Sequence, residues 1–345
     1  MKYTQLGQTD LRVSMACIGT MTFGQQNTVE EAAQQLNYAV ANGVNFIDTA
    51  EMYPIPPTPE TQGDTERFIG KWLKGRSDRD ELIIASKVAA TGGPSVQIRP
   101  HMALNASNIE LALDSSLNRL GTDYLDLYQV HWPERSTNYF GQLNYQHTEE
   151  SNLTPIMETL EALLKCQRAG KIRHIGISNE TPWGAAEYLK LSALHDLPRI
   201  ASIQNPYNLL NRSFEVGMAE IAIREQVPLL AYSPLAFGAL SGKYLNDQKP
   251  EGARMTRYTR FVRYTNARGV DATQRYFELA LEHQIDPAQM AIAFAAQQPF
   301  IGSVILGATN LEQLSNNIEA CAMDLSEELN QGIEAIFQQN PNPCP

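Results

Sequence analysis

Short apolar runs alternate along the chain with longer segments whose apolar residues recur at a helical period. Most of these runs are apolar throughout, as expected for parallel strands that are buried on both faces. Eight strands are predicted, at residues 16–20, 44–48, 82–87, 125–131, 174–178, 201–205, 228–233 and 303–307. This alternation predicts an α/β fold, a closed (β/α)8 TIM barrel.

Two elements are expected outside the repeat. Segments 3–6 and 12–18, around Gly7-Gln8-Thr9-Asp10, predict an N-terminal β-hairpin. An extra helix is expected at the C-terminal end. No internal linker or repeat is visible, so residues 1–345 are interpreted as one domain. The alternative fold is a doubly wound open sheet, but no GxGxxG sequence follows the first strand, and long loops after the strands favour closure.

Three connections are too long for simple turns. They span residues 54–63, 133–154 and 238–269, and each follows a predicted strand. In alternating barrels the loops at the carboxyl ends of the strands carry the chemistry. We therefore expect these three loops to stand over the active face.

Composition narrows the classes of function. The chain has 345 residues, 43% of them hydrophobic, and a net charge of −11, which argues against general binding to nucleic acids or anionic membranes. The four cysteines are far apart and show no metal-ligand spacing, so neither a metal site nor a disulfide framework is expected. No signal peptide is recognised and the longest apolar run, 290–296, is too short to span a bilayer, so a reducing cytoplasm is the expected location.

Four polar residues fall where predicted strands run out into loops: Asp48, Tyr53, Lys87 and His131. A tyrosine can protonate a developing alkoxide if its pKa, about 10 when free, is brought toward working pH. A buried ammonium nearby would lower it by at most about three units. Asp48 would hold Lys87 in place, and His131 would point a ring N–H at the substrate oxygen. None of the four can supply a hydride, so a nicotinamide cofactor is required.

Each of the four has an ordinary structural explanation on its own, such as a helix cap, a solvated lysine or a partly buried ring. Their joint occurrence at the ends of consecutive strands favours a proton relay for carbonyl reduction.

Two segments are candidates for binding a dinucleotide. Residues 307–312 join the last strand to a helix, with Thr309 as the expected N-cap and Glu312 completing a capping box, and such a helix start favours a phosphate. Residues 232–244 form a glycine-punctuated loop that ends in Lys243. It is one residue short of a P-loop and has Tyr244 in place of the magnesium-binding Ser or Thr, so nucleotide hydrolysis is rejected.

The segment 254–268 follows this loop and contains five arginines but no acidic residue. A solvated charged flap is one interpretation. Contact with a dinucleotide phosphate is the other, with Arg254 as the nearest candidate.

These motifs resemble those of the aldo-keto reductase superfamily, from residue 11 to about residue 317. The signatures are Asp48-Thr49-Ala50 followed by Tyr53, the run 116–128 leading to His131-Trp132, Gly176-Ile177-Ser178-Asn179, Gln204-Asn205-Pro206-Tyr207-Asn208 and Tyr232-Ser233-Pro234-Leu235. In detail the chain is similar to the bacterial Tas-type reductases, which are similar in turn to potassium-channel β subunits.

The resemblance implies a barrel that binds NADPH/NADP+ without a Rossmann motif, with a tyrosine as the general acid. It implies that Ser178, Asn179 and Gln204 bind the carboxamide and that Tyr232 stacks on the nicotinamide. The pyrophosphate would be lined by Ser233, Pro234, Leu235, Ala236, Gly238 and Lys243. The adenosine and its 2′-phosphate would be surrounded by Arg254, Thr309, Gln313, Asn316 and Asn317, and Gly19, Thr20 and Met21 would lie near the ribose. Trp132 would wall the substrate pocket.

The sequence thus predicts an NADPH-dependent reductase of a small aldehyde or ketone. The alternative is a regulatory subunit that senses NADPH with little turnover. A barrel isomerase or lyase that uses Lys87 as a Schiff base is disfavoured, because Asp48 would keep the lysine protonated. The sequence leaves the substrate, the oligomeric state and the strictness of NADPH preference open.

Overall fold

The strands of the repeat close into a barrel, as the sequence predicts. The structure is a computed structural model that describes residues 1–93 and 98–345. The barrel strands are β3 (Ala16–Gly19), β4 (Phe46–Asp48), β5 (Ile83–Val88), β6 (Leu125–Val130), β7 (Ile172–Ser178), β8 (Ile200–Pro206), β9 (Leu229–Tyr232) and β10 (Ile301–Leu306). They pair in parallel in this order, and β10 closes the ring against β3.

The predicted hairpin is present and consists of β1 (Tyr3–Gln5) and β2 (Arg12–Ser14). Its expected second strand, 12–18, is wrong in extent, because Met15 divides it into two strands. The Met15 amide donates to the Lys2 carbonyl within the hairpin, whereas the Met15 carbonyl accepts from Val304 of the barrel. The chain therefore changes its pairing partner at this residue.

Helices surround the barrel. They are α1 (Val29–Ala41), α2 (Asp64–Leu73), α3 (Ala106–Leu120), α4 (Ile156–Arg168), α5 (Pro182–His195), α6 (Met218–Arg224), α7 (Arg254–Arg257), α8 (Ala267–Glu282), α9 (Pro287–Ala296), α10 (Leu311–Ala320) and α11 (Glu327–Gln339). The last of these is the expected extra helix. It packs on α8, where Gly332 lies against Leu279 and leaves no room for a side chain.

Two hydrophobic cores hold these layers together. The larger one lies mainly between the strands and the helices. The smaller one includes Leu6, Leu11 and Val13 of the hairpin region together with barrel residues such as Phe46 and Leu127, so the hairpin closes one end of the barrel. The opposite end, where the carboxyl ends of the strands lie, is left to the long loops. Within the described ranges, no helix is both long and apolar enough to cross a bilayer.

Candidate active site

A buried ion pair lies at the carboxyl ends of β4 and β5. Lys87 Nζ is 2.6 Å from Asp48 Oδ2 and donates a second hydrogen bond, of 2.8 Å, to the Thr49 carbonyl. The other oxygen of Asp48 accepts from Gln129 at 3.2 Å and from Gln204 at 2.8 Å. Both charges are therefore compensated by the protein itself, as charges buried this deeply must be.

Tyr53 and His131 lie beside this pair and border a cavity of about 1380 Å³. Lys87 Nζ is 5.0 Å from the centre of the Tyr53 ring. The Tyr53 and His131 rings meet edge to face, with their centres 5.8 Å apart. The structure thus brings the four predicted catalytic side chains together, with Asp48, Tyr53 and His131 bordering the cavity and Lys87 behind them.

The pKa of Tyr53 differs from the sequence expectation. Burial raises it above the usual value, and the opposing effect of Lys87 does not reverse the rise. In the protein without ligands, Lys87 limits the increase instead of making the phenol unusually acidic. Tyr53 is consequently protonated at neutral pH, which is the state that a general acid requires.

The pKa values of Lys87 and His131 shift in opposite directions. Burial is the largest single influence and would lower the pKa of Lys87, but the charge and hydrogen bond of Asp48 together with Tyr53 outweigh it. The pKa is therefore raised, so the lysine stays charged and is unsuited to a Schiff base. Burial, and secondarily Lys87, holds the pKa of His131 well below its usual value. The imidazole is therefore neutral at pH 7, and its Nδ1 is buried without a hydrogen-bond partner among the described residues.

A polar network joins this centre to the neighbouring strands. Asn179 donates to the His131 carbonyl at 2.8 Å and accepts from the Tyr232 hydroxyl at 2.7 Å. The Ser178 hydroxyl donates to the Gln204 carbonyl at 2.8 Å. Ser178, Asn179 and Gln204 are the residues expected to bind a carboxamide. Internal hydrogen bonds already orient them, and a ligand would have to replace some of these bonds.

The predicted cofactor residues border the same cavity, with one exception. Ala236 is fully buried and packs into the larger core. The others do line the cavity: Gly19, Thr20, Met21, Ser178, Asn179, Gln204, Tyr232, Ser233, Pro234, Leu235, Gly238, Lys243, Arg254, Thr309, Gln313, Asn316 and Asn317. One continuous space therefore joins the tyrosine to the segments expected to bind a dinucleotide.

Trp132 does not border the cavity, contrary to expectation. It is completely buried, and its ring nitrogen donates to the Thr91 carbonyl at 2.9 Å. Its ring centre is 4.8 Å from that of His131 and 6.0 Å from that of Phe140, which does line the cavity. Trp132 packs behind the rings of His131 and Phe140. Phe140, and not Trp132, forms this part of the cavity wall.

The helix start expected at Thr309 is also displaced by one residue. Asn310 is the N-cap of α10, and its side chain accepts from the Gln313 amide. The Thr309 hydroxyl instead contacts the Gln313 side chain at 3.1 Å. The box with Glu312 is therefore absent, although Thr309 remains on the cavity wall.

Five cationic side chains border the cavity: Lys243, Arg254, Arg257, Arg260 and Arg263. None of them takes part in an ion pair within the described parts of the chain. Burial lowers the pKa of both Lys243 and Arg254, and Arg254 contributes to the effect on Lys243. Cations that are partly desolvated and lack counter-charges suit an anionic ligand.

Several residues of the site were not identified from sequence. The sequence marks the arginine run but places only Arg254 at the ligand, and the three-residue spacing of the run is the signal for Arg257, Arg260 and Arg263. Gln129 and Phe140 carried no comparable signal. No cluster of potential metal ligands is present in residues 1–93 and 98–345.

Comparison with known proteins agrees with this architecture. The model of the aldo/keto reductase family matches residues 16–338. The chain is 54% identical to Protein tas of Escherichia coli over the full length of both chains. It is 36% identical to an aldo-keto reductase of Babesia bovis over 73% of this chain and 95% of that protein. It is 31% identical to L-glyceraldehyde 3-phosphate reductase of Escherichia coli O157:H7, over 93% of this chain and 87% of that one.

Proposed function

This chain belongs to the aldo/keto reductase family of oxidoreductases, and from that premise we propose that it reduces an aldehyde or ketone to the alcohol with NADPH. The observation that carries the proposal is that two sets of side chains border one cavity. The first set is Asp48, Tyr53 and His131, with Lys87 paired to Asp48, and the second is the five cations that have no carboxylate partner among the described residues.

The residues present fit a nicotinamide dinucleotide. The cavity is continuous and about 1380 Å³ in volume, and its cations have no carboxylate partners among the described residues. When bound, the cofactor would supply the hydride. The residues proposed to hold it are those of the cavity wall already named, with Arg254 and Lys243 at its phosphates.

The proton chemistry follows from the protein's own groups. Tyr53 donates its hydroxyl proton to the carbonyl oxygen, and Lys87, fixed by Asp48, stabilises the phenolate that is left. Neutral His131 offers a ring N–H to the same oxygen as negative charge develops there. The internal bonds of Asn179 and Gln204 keep these groups oriented before a ligand arrives.

Preference for NADPH over NADH is proposed from the same cations. The 2′-phosphate distinguishes the two cofactors, and Arg254 is the partly buried guanidinium nearest in sequence to the phosphate-binding loop. One relative is named for the reduction of L-glyceraldehyde 3-phosphate, so a phosphorylated aldehyde belongs among the substrates to be tested. The assignment of residues 1–345 to one domain and the cytoplasmic location stay predictions.

The test is NADPH consumption, followed at 340 nm, against a panel of small aldehydes, ketones and quinones. Multiple turnovers with at least one carbonyl compound, at a rate that depends on Tyr53, support the proposal. Tight NADPH binding without turnover on any member would favour the alternative, a regulatory subunit that senses the cofactor.

A further inference from the structure

Arg263 borders the cavity where two long loops meet. It belongs to the arginine-rich segment 254–268, and it faces the loop 133–154 that follows β6. A methyl group placed on Gly141 of that loop would lie 2.8 Å from Arg263 Nε. The guanidinium group therefore lies directly against the backbone of Gly141.

One chain of contacts connects Arg263 with His131. Its guanidinium group is close enough to the Tyr232 hydroxyl to oppose the rise in pKa that burial gives this phenol. Tyr232 donates to Asn179 at 2.7 Å, and Asn179 donates to the His131 carbonyl at 2.8 Å. Two residues thus separate the cation from the predicted catalytic histidine.

A second chain of contacts runs through the loop 133–154. Phe140 precedes Gly141, lines the cavity and packs on Trp132 at 6.0 Å between ring centres. The Trp132 ring lies 4.8 Å from His131. Arg263 therefore borders the part of the cavity next to the reacting centre. Arg254 and Arg263 lie against the same ring, with their guanidinium carbons 5.7 Å and 6.0 Å from the centre of Phe237, and the charge of Arg254 also acts on Lys243.

The charge of Arg263 has no carboxylate partner among the described side chains. An oxygen of Pro345 lies on the same side of Gly141, 3.2 Å from the same methyl position. A guanidinium group presents several donors in a fixed plane and binds carboxylates or phosphates with paired hydrogen bonds.

We infer that Arg263 binds an anionic group of the carbonyl substrate, so that the preferred substrates are small aldehydes or ketones bearing a carboxylate or a phosphate. The inference rests on the proposed function and deepens it. With the carbonyl at Tyr53 and His131, the anion would reach across the cavity to the guanidinium group. An uncharged analogue would leave that group without a partner, and its transition state would be bound less tightly.

The experiment compares charged and neutral members of matched substrate pairs. One pair is 4-carboxybenzaldehyde and its methyl ester, and the other is glyceraldehyde 3-phosphate and glyceraldehyde. The variants are Arg263→Met, which removes the charge at similar length, and Arg263→Lys, which keeps the charge but not the planar donors. Arg275→Met is the matched control, because Arg275 lies on the outer surface of α8 and pairs with Asp271.

For Arg263→Met, kcat/KM for the preferred charged substrate should fall about 10- to 100-fold, as expected for loss of a charge-assisted hydrogen bond. Its neutral partner should change by less than about threefold. Arg263→Lys should retain an intermediate preference, and Arg275→Met should match the wild type. If the preference for the charged substrate depends on Arg263 in only one of the two pairs, the inference is supported. The pair that shows the dependence then identifies the anion as a carboxylate or a phosphate.

An equal loss for charged and neutral substrates would overturn the inference. If NADPH binding, measured by fluorescence quenching, weakens in parallel, Arg263 is a dinucleotide contact instead. If NADPH binding is unchanged, Arg263 only positions the loops. A wild-type protein that turns over no member of either pair, or of the wider carbonyl panel, contradicts the proposed function itself, and the inference fails with it.

Discussion

Two sets of charged side chains at the cavity differ in how they are compensated. In the catalytic set, Lys87 and Asp48 are 2.6 Å apart with 0% and 3% of their side chains exposed, and two glutamine amides complete the hydrogen bonds of the carboxylate. In the cationic set, Lys243 and Arg254 border the same cavity, and no described carboxylate pairs with either.

Burying a charge is unfavourable unless another charge or several hydrogen bonds compensate it. The catalytic set meets this requirement with the protein's own residues and is complete without a ligand. The cationic set does not, and a bound phosphate would supply what is missing. Changes in the first set should therefore alter chemistry and stability, whereas changes in the second set should alter binding.

The largest effect is expected at the hydroxyl group of Tyr53. Tyr53→Phe removes only the transferable proton and should lower kcat for carbonyl reduction by about 10²–10⁴-fold. NADPH affinity should stay near that of the wild type. Tyr145→Phe, at an exposed tyrosine of the loop 133–154, is the control and should leave kcat unchanged. Full activity in Tyr53→Phe would exclude this residue as the acid.

The next effect is on stability. Lys87→Met leaves Asp48 buried without its cation, and loss of one partner of a buried pair costs about 3–5 kcal/mol of unfolding free energy. Lys171→Met is the matched control, because its pair with Asp114 is 39% and 49% exposed and should contribute less than about 1 kcal/mol. Urea denaturation of both variants gives the comparison.

The same lysine variant tests the pKa of the phenol. Because Lys87 opposes the rise that burial causes, its removal should raise the pKa of Tyr53 further and move the pH limit of any residual reduction upward. An unchanged pH profile would show that Lys87 does not act on the tyrosine.

A smaller effect is expected in the cationic set. Arg254→Ala should weaken NADPH binding by about 1.5–3 kcal/mol, the range for hydrogen bonds to charged groups. NADH lacks the 2′-phosphate and should bind almost as before. Arg275→Ala on α8 controls for the loss of one surface charge. Equal weakening for both cofactors would make Arg254 a general phosphate contact, and no weakening for either would leave the arginine run a solvated flap.

The smallest effect concerns acid stability. The pKa of His131 is held well below its usual value, so the folded protein binds fewer protons than the unfolded chain as the pH falls below about 6.5. Stability is then lost with falling pH, by at most about 1.4 kcal/mol per pH unit. His131→Gln should flatten the decline in Tm between pH 7 and 5, whereas His101→Asn, at an exposed histidine, should not.

Sequence predicts the barrel well because strands buried on both faces leave continuous apolar runs. Each predicted boundary of a barrel strand lies within two residues of the observed one. The polar residues that end these runs necessarily point to one face of the barrel, which is why the sequence alone groups Asp48, Lys87 and His131. Their catalytic roles stay predictions.

What sequence does not predict depends on side-chain direction in irregular segments. Trp132 and Phe140 are both aromatic and both near His131, and only packing decides that Phe140 faces the cavity. Arg263 is one of five arginines in its segment, and its contact with Gly141 joins two loops that are far apart in sequence. The net direction of the Tyr53 pKa depends on the balance of burial against charge, which composition cannot supply.

The most direct test of the division between the catalytic and the cationic set is NADPH titration by quenching of intrinsic fluorescence, performed on Tyr53→Phe and Arg254→Ala side by side. We expect a Kd near the wild-type value for Tyr53→Phe and an increase of about 10- to 100-fold for Arg254→Ala. A weaker Kd in Tyr53→Phe together with an unchanged Kd in Arg254→Ala would contradict this division.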